Sequence, residues 1–304
     1  MIRVTISTQI NRKEEKMSAI VRRYPALSLL VLAAILGVAP LVAVNAGLVP
    51  KGGDQLGAIS ASLAGIILAA VEGRKGGVRE LLGRFLIWRV GIQWWAFAVL
   101  FGVIPAVAGL YLFNLFGGPA VDWSGLKPLS SLVPSIIILT ILAGMGEEFG
   151  WRGFAMPRLQ ARHNALVSSL IIGALWGIWH VPLFLTEGSI QYEWQLEVGF
   201  IPAVLGYTVF VIAWSIQYTW VFNNAKGSVL LAAVLHGAVN AWNGYIDVYR
   251  GHFGGVVAYT VVSVIVSIII VLLAGPTNLS RTNKRNMLEP ESGSPVEAAS
   301  PAGT

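Results

Sequence analysis

The chain has no cysteine, which excludes a disulfide framework, thiolate metal centres and cysteine nucleophiles at once. It is also poor in charge. Only 12% of its 304 residues are Asp, Glu, Lys or Arg, against about a quarter in a soluble domain that must cover its surface with them. Phosphate-cradling Gly-rich loops and internal repeats are likewise missing. With 55% apolar residues and a mean hydropathy of +0.70, most of the chain must face lipid rather than water. The net charge of +6 does not argue for nucleic acid, because the basic residues stand in short blocks between long apolar runs, the pattern that membrane topology produces.

A helix crossing about 30 Å of hydrocarbon needs roughly 20 apolar residues. Eight stretches qualify or nearly so: Ala26–Val44, Gln55–Val71, Trp94–Phe116, Leu132–Gly146, Leu166–Leu185, Val198–Phe222, Val229–Ile246 and Gly254–Ala274. The expected fold is therefore all-α, a polytopic membrane helical bundle of about eight transmembrane helices. Threading these runs with the N-terminus inside puts 18 of the 21 basic residues in the cytoplasm and leaves Lys51, Lys127 and Arg250 outside, so the positive-inside rule gives N-in and C-in. The expected organisation is a basic cytoplasmic N-terminal segment (1–24), a transmembrane domain (25–274) and a disordered cytoplasmic tail (275–304) rich in Pro, Ser, Glu and Ala. The first run and its leader are too long for a signal peptide and read as an uncleaved anchor. Residues 72–91 alternate basic and apolar positions at helical spacing, as expected of a segment lying in the inner headgroup layer.

An ionisable group near the bilayer centre costs roughly 2.5–3.5 kcal/mol on insertion scales. Three motifs incur that cost. They are Glu147, Glu148 and Arg152 in GEEFGWRGF, Trp176 one turn before His180 in WGIWHVPLF, and His236 with Asn240 in LHGAVNAW. Each alone has an ordinary reading as interfacial charge, i,i+4 support or helix-to-helix hydrogen bonding. Together they supply two carboxylates, two imidazoles and a carboxamide, the inventory of an acid–base site. In an antiparallel hairpin Glu147 and His180 share a depth if the turn centres near residue 163, within Arg162-His163-Asn164. The fourth helix must then run on to about Gln160 despite Pro157. No such relation sets the depth of His236.

Glu-Glu-x-x-x-Arg, an aromatic four positions before His, and His-x-x-x-Asn, in that order on separate membrane helices, resemble the CPBP family of intramembrane proteases. That family includes type II CAAX prenyl endopeptidases and bacteriocin-processing or bacteriocin-immunity proteins. The match covers about residues 140–245, with Trp176 where Phe is common. The resemblance implies peptide-bond hydrolysis inside the membrane, on a membrane-associated peptide or protein that is CAAX-like and lipidated in some members. Carried over by position, Glu147 would activate water, His180 would hold that water or the scissile carbonyl, and His236 and Asn240 would donate to the oxyanion. Glu148, Arg152 and Trp176 would support them.

Members of the family are described both as metalloproteases and as metal-free glutamate proteases. Glu147, His180 and His236 would be the ligands of a zinc ion. The lack of His-Glu-x-x-His, and an amide at Asn240 suited to an oxyanion, favour no cofactor. Two rivals stand beside the protease. A proton-coupled transporter would show matching polarity in both halves, whereas all the buried polarity here lies in the second. A non-catalytic bacteriocin-immunity protein would tolerate a decayed site, whereas these motifs stand intact. The expected setting is a multi-pass protein of the plasma membrane of a prokaryote, with lipid and a peptide substrate as partners and no nucleic acid.

Overall fold

The computed structural model describes residues 15–48, 57–249 and 251–281, and every regular element among them is a helix. In chain order these are α1 (Glu15–Arg23), α2 (Pro25–Asn45), α3 (Ser60–Gly83), α4 (Ile92–Leu115), α5 (Leu129–Gln160), α6 (Ala165–Leu185), α7 (Ile190–Val198), α8 (Phe200–Asn224), α9 (Val229–Ile246) and α10 (Phe253–Ala274). Six of them, α4, α5, α6, α8, α9 and α10, are long and apolar enough to cross a membrane. Bulky apolar side chains such as Ile35, Ile138, Ile141, Leu272 and Leu273 lie exposed on the outside. The protein is a multi-pass integral membrane protein.

Among the described residues, length and apolarity alone give six spans, or seven with the first expected run, beside the eight apolar runs of the sequence. The difference lies in the first two runs. α2 meets α1 at a bend of 108°, at Tyr24-Pro25, where the proline ring disfavours helical backbone in the residue before it and suits the first position of the helix that follows. The apolar part of α3 is a shorter helix, Gly57–Gly73. A Cβ on Gly77 would fall 2.3 Å from the carbonyl oxygen of Ala69, so the chain turns back on itself here and the amphipathic end of α3 leaves the axis of its apolar part.

Eight helices close a ring in which each packs on the next: α2, α3, α5, α9, α4, α10, α8, α6 and again α2. Between lipid-facing helices there is no hydrophobic drive to associate, so close backbone approach through small residues decides the packing. α5 supplies that closeness on two sides. A Cβ at Gly144 would sit 2.2 Å from the carbonyl oxygen of Ala233 on α9, and one at Gly150 would sit 2.2 Å from that of Ala61 on α3. Gly150→Ala is therefore expected to lower the thermal midpoint of the purified protein, at a cost of about 1–3 kcal/mol for overpacking against backbone. Gly73→Ala, whose Cβ meets open space, is expected to leave the midpoint unchanged. Equal midpoints for the two variants would contradict this packing.

α5 runs on to Gln160, as the hairpin argument requires, and turns into α6 at residues 161–164, where the Asn164 side chain caps Val167 N at 2.8 Å. Two stretches of α5 are π-helical, Thr140–Gly144 and Phe149–Ala155. The second runs straight into Met156–Gln160, so Pro157, which has no N–H to give, sits where the wide π turn passes back to α-helix. Residues 275–281, part of the tail expected to be disordered, are instead tied to the bundle. The carbonyls of Pro276 and Thr277 accept from Leu166 N and Ala165 N at the open end of α6, and those of Asn278 and Leu279 accept from Asn223 and Asn224. Orphan donors at a helix start attract such a strap. The rest of that expected tail, 282–304, and the start of the expected N-terminal segment, 1–14, lie outside the described residues.

Candidate active site

Glu147 and Glu148 sit between the two π-helical stretches of α5. The π turns interrupt the regular hydrogen-bond ladder, and a residue of α3 enters the gap. Ser62 Oγ donates to the Met145 carbonyl at 2.7 Å and accepts from Phe149 N at 3.2 Å. One hydroxyl thus bridges an acceptor and a donor four residues apart across the glutamate pair, where a direct helical bond would otherwise run. Neighbouring residues on a helix point about a quarter-turn apart, so the two carboxylates meet different partners.

Glu147 faces α6, where Trp176 Nε1 donates to its Oε2 at 2.5 Å. Glu148 faces α9 and is wholly buried. His236 Nδ1 lies 2.9 Å from its Oε1, and Arg152 Nη1, one turn further along α5, lies 3.2 Å from its Oε2. The other nitrogen of His236, Nε2, stands 3.9 Å from Glu147 Oε1. The depth of His236, open in the sequence, is thus that of the glutamate pair, and its ring touches both carboxylates. The Arg152 guanidinium lies over two neighbouring aromatic rings, 4.9 Å from the centroid of Trp176 and 5.0 Å from that of Tyr218. A desolvated cation over ring faces is stabilised by their quadrupoles.

His180 ends the α-helical part of α6, and Val181–Leu185 continue as a 3₁₀ turn containing Pro182. Its Nδ1 is 2.8 Å from the Trp176 carbonyl. A carbonyl can only accept, so Nδ1 carries the proton and Nε2 keeps its lone pair. Tyr207 packs edge-on against the His180 ring at 5.1 Å. Trp179 Nε1 donates to Ser60 Oγ at 3.2 Å and pins the end of α6 to the start of α3.

Glu147 and His180 both line a cavity of about 350 Å³. Its other walls are mostly apolar: Ala34, Gly37 and Val38 of α2, the segment 57–59 leading into α3, Leu142 of α5, and Trp179, Pro182, Leu183 and Thr186 of α6. Four of the sequence-derived site residues, Glu147, Glu148, His180 and His236, with Trp176 and Arg152, form one buried assembly beside this cleft, and Asn240 lies one turn beyond His236 on α9. Asn240 is half-buried and joins none of the hydrogen bonds just described. Unforeseen were Ser62 and the aromatic wall of Tyr207, Trp214 and Tyr218. The wall had a signal, since Tyr207, Phe210, Trp214 and Tyr218 recur every three or four residues on one face of α8.

Among the described residues no three His, Asp or Glu side chains stand as a metal-ligating group. Glu148 is engaged by Arg152 and His236, Glu147 by Trp176, and His180 Nδ1 by a carbonyl.

Residues 129–242 match the family model described as Type II CAAX prenyl endopeptidase Rce1-like. Over 147 residues, 47% of the chain, the sequence is 31% identical to CAAX prenyl protease 2 of Methanococcus maripaludis, of which it covers 53%. Over 82 residues, 27% of the chain, it is 29% identical to Lysostaphin resistance protein A of Staphylococcus haemolyticus, of which it covers 22%. The chain thus spans about half the length of the first relative and about a fifth of the second. The family match contains Glu147, Glu148, Arg152, Trp176, His180, His236 and Asn240. Over that segment the chain is similar to the Rce1-like members of the CPBP family.

Proposed function

We propose that the protein is an intramembrane endopeptidase of a prokaryotic plasma membrane, hydrolysing peptide bonds of a membrane-associated peptide or protein. The observation that carries this reading is that a carboxylate and an imidazole with a free lone pair open onto one apolar cavity inside a membrane bundle. Amide hydrolysis needs a base, a held water and donors aimed at developing negative charge. Glu147 takes a proton from water while His180 Nε2 accepts the water's other hydrogen. The oxygen attacks the carbonyl carbon, and Glu147 returns the proton to the leaving nitrogen as the C–N bond breaks. The Asn240 amide serves the oxyanion, and His236, whose Nδ1–H is given to the Glu148 carboxylate, joins it only in the doubly protonated form that lets Nε2 donate as well. Arg152 and Glu148 act only through His236, by fixing its ring. The mostly apolar cleft and the CAAX names of the relatives support a lipid-linked substrate.

Membranes carrying the protein are expected to cleave a lipidated peptide in preference to its unlipidated twin, with the cleaved bond read by mass spectrometry. Absence of cleavage of any peptide in a mixed lipidated and plain library would remove the protease reading. It would then favour the second, a non-catalytic resistance or immunity protein, which the similarity to Lysostaphin resistance protein A supports.

Two further results are expected. Asn240→Ala should lower kcat by about 10²–10³, the usual cost of one oxyanion donor, with little change in KM. An unchanged kcat with raised KM would move Asn240 to substrate binding. Chelation and dialysis should leave the rate unchanged, since the reading needs no zinc; activity lost on dialysis and restored by zinc would make the histidines ligands.

A further inference from the structure

Three arginines stand at the elbow between α1 and α2. Arg162, in the turn joining α5 to α6, donates from Nη1 to the Arg23 carbonyl at 2.7 Å and from Nη2 to the Arg22 carbonyl at 2.6 Å. These carbonyls end α1, so the Arg162 charge offsets the negative end of that helix's dipole and closes the 108° bend. The side chains of Arg22, Arg23 and Arg162 are all exposed. Among the described residues none of the three makes an ion pair. The acid of α3 on this side, Glu72, is already taken by Arg158 at 2.5 Å, and Glu15 lies at the far end of α1.

An apolar rim surrounds these charges. Met17 and Ile20 of α1, Tyr24 at the elbow, and Leu27 and Val31 of α2 are exposed, while Ser18 and Val21 turn α1's other face into the bundle. Arg23 lies over the Tyr24 ring at 5.2 Å. Cations concentrated beside an exposed apolar stripe, at the junction of a short amphipathic helix and a long apolar one, match a headgroup above acyl chains. Planar guanidinium forks suit phosphate oxygens.

We propose that the α1–α2 elbow binds the headgroup of an anionic phospholipid, its phosphate held by Arg22, Arg23 and the outer edge of Arg162, and its acyl chains lying along Leu27 and Val31. The occupant braces the base of α2, whose Ala34, Gly37 and Val38 wall the cleft.

Lipid titration of the purified full chain, read by native mass spectrometry, tests this without any peptide substrate. Phosphatidylglycerol should be retained in preference to phosphatidylcholine. Each basic side chain near an anionic surface contributes roughly fivefold, so Arg22→Gln/Arg23→Gln should weaken retention about thirty-fold. These exposed side chains hold nothing in place, and the double variant should keep the wild-type unfolding midpoint. The control Arg84→Gln/Arg89→Gln should bind as the wild type does. Equal weakening in the control, no preference over phosphatidylcholine, or displacement of the lipid by millimolar inorganic phosphate would each overturn the proposal, the last by making the elbow a free-anion site.

Discussion

Glu147→Gln and His180→Ala are each expected to reduce peptide cleavage by about 10²–10⁴-fold, the range for loss of a positioned proton-transfer group, while both proteins insert and fold, Glu147→Gln unfolding at the wild-type temperature and His180→Ala a few degrees below it. The two halves of this expectation have separate physical grounds. Glutamine keeps the shape of Glu147 and retains a carbonyl oxygen to accept from Trp176 Nε1. It also removes a charge from a buried site, which is not a destabilising change in itself. What it loses is the ability to take a proton. His180→Ala breaks one hydrogen bond, to the Trp176 carbonyl, at a cost of about 1 kcal/mol. Its main effect is on the held water. The readout is kcat for a peptide that the wild type cleaves, alongside a thermal unfolding curve for each variant. A rate within a few-fold of wild type for either well-folded variant would sink the assigned roles of base and water holder.

The parts of this site that were legible in the sequence are those governed by a single helix or a single hairpin. The turn at residues 161–164 follows from equal depth of Glu147 and His180, and the Asn164 cap reinforces it. The place of His236 was not legible, because it depends on how closely α9 approaches α5. That approach rests on Gly237, whose Cβ would fall 2.3 Å from Thr140 N, and on Gly144 against Ala233. Small residues four apart on both helices, Thr140 with Gly144 and Ala233 with Gly237, were the available trace of it. The π turns left no trace, since residue type sets the apolar period of a helix but not a local change of hydrogen-bond register. Ser62 was hidden for the same reason, being one serine among apolar residues whose partner is a gap in another helix's backbone. Span counting was weakest where a run's ends, not its composition, decide the geometry, as at the Pro25 elbow and the turn of α3 near Gly77.

The largest effect on stability is expected at Arg152, a fully buried cation one turn from Glu148. Arg152→Met should destabilise the protein by about 3–5 kcal/mol, because it strands the Glu148 carboxylate without its compensating charge in a dry site. Adding Glu148→Gln should recover much of that loss, since the pair is then neutral and the remaining amide can still accept from His236. Recovery should be incomplete. Two guanidinium nitrogens, Nε and Nη2, find no hydrogen-bond acceptor among the described residues and rest instead against the rings of Trp176 and Tyr218, a contact worth about 2 kcal/mol when desolvated that methionine cannot reproduce in kind. The double-mutant cycle on unfolding free energy isolates the ion pair from the ring contact. Additive losses would show that Arg152 and Glu148 are not coupled, and a stable Arg152→Met would show that the carboxylate needs no cation. Activity separates the two roles further: the recovered double variant should remain slow, because a neutral amide in place of the Glu148 carboxylate no longer holds the His236 ring with a charged acceptor, so stability and turnover part company at the same pair of residues.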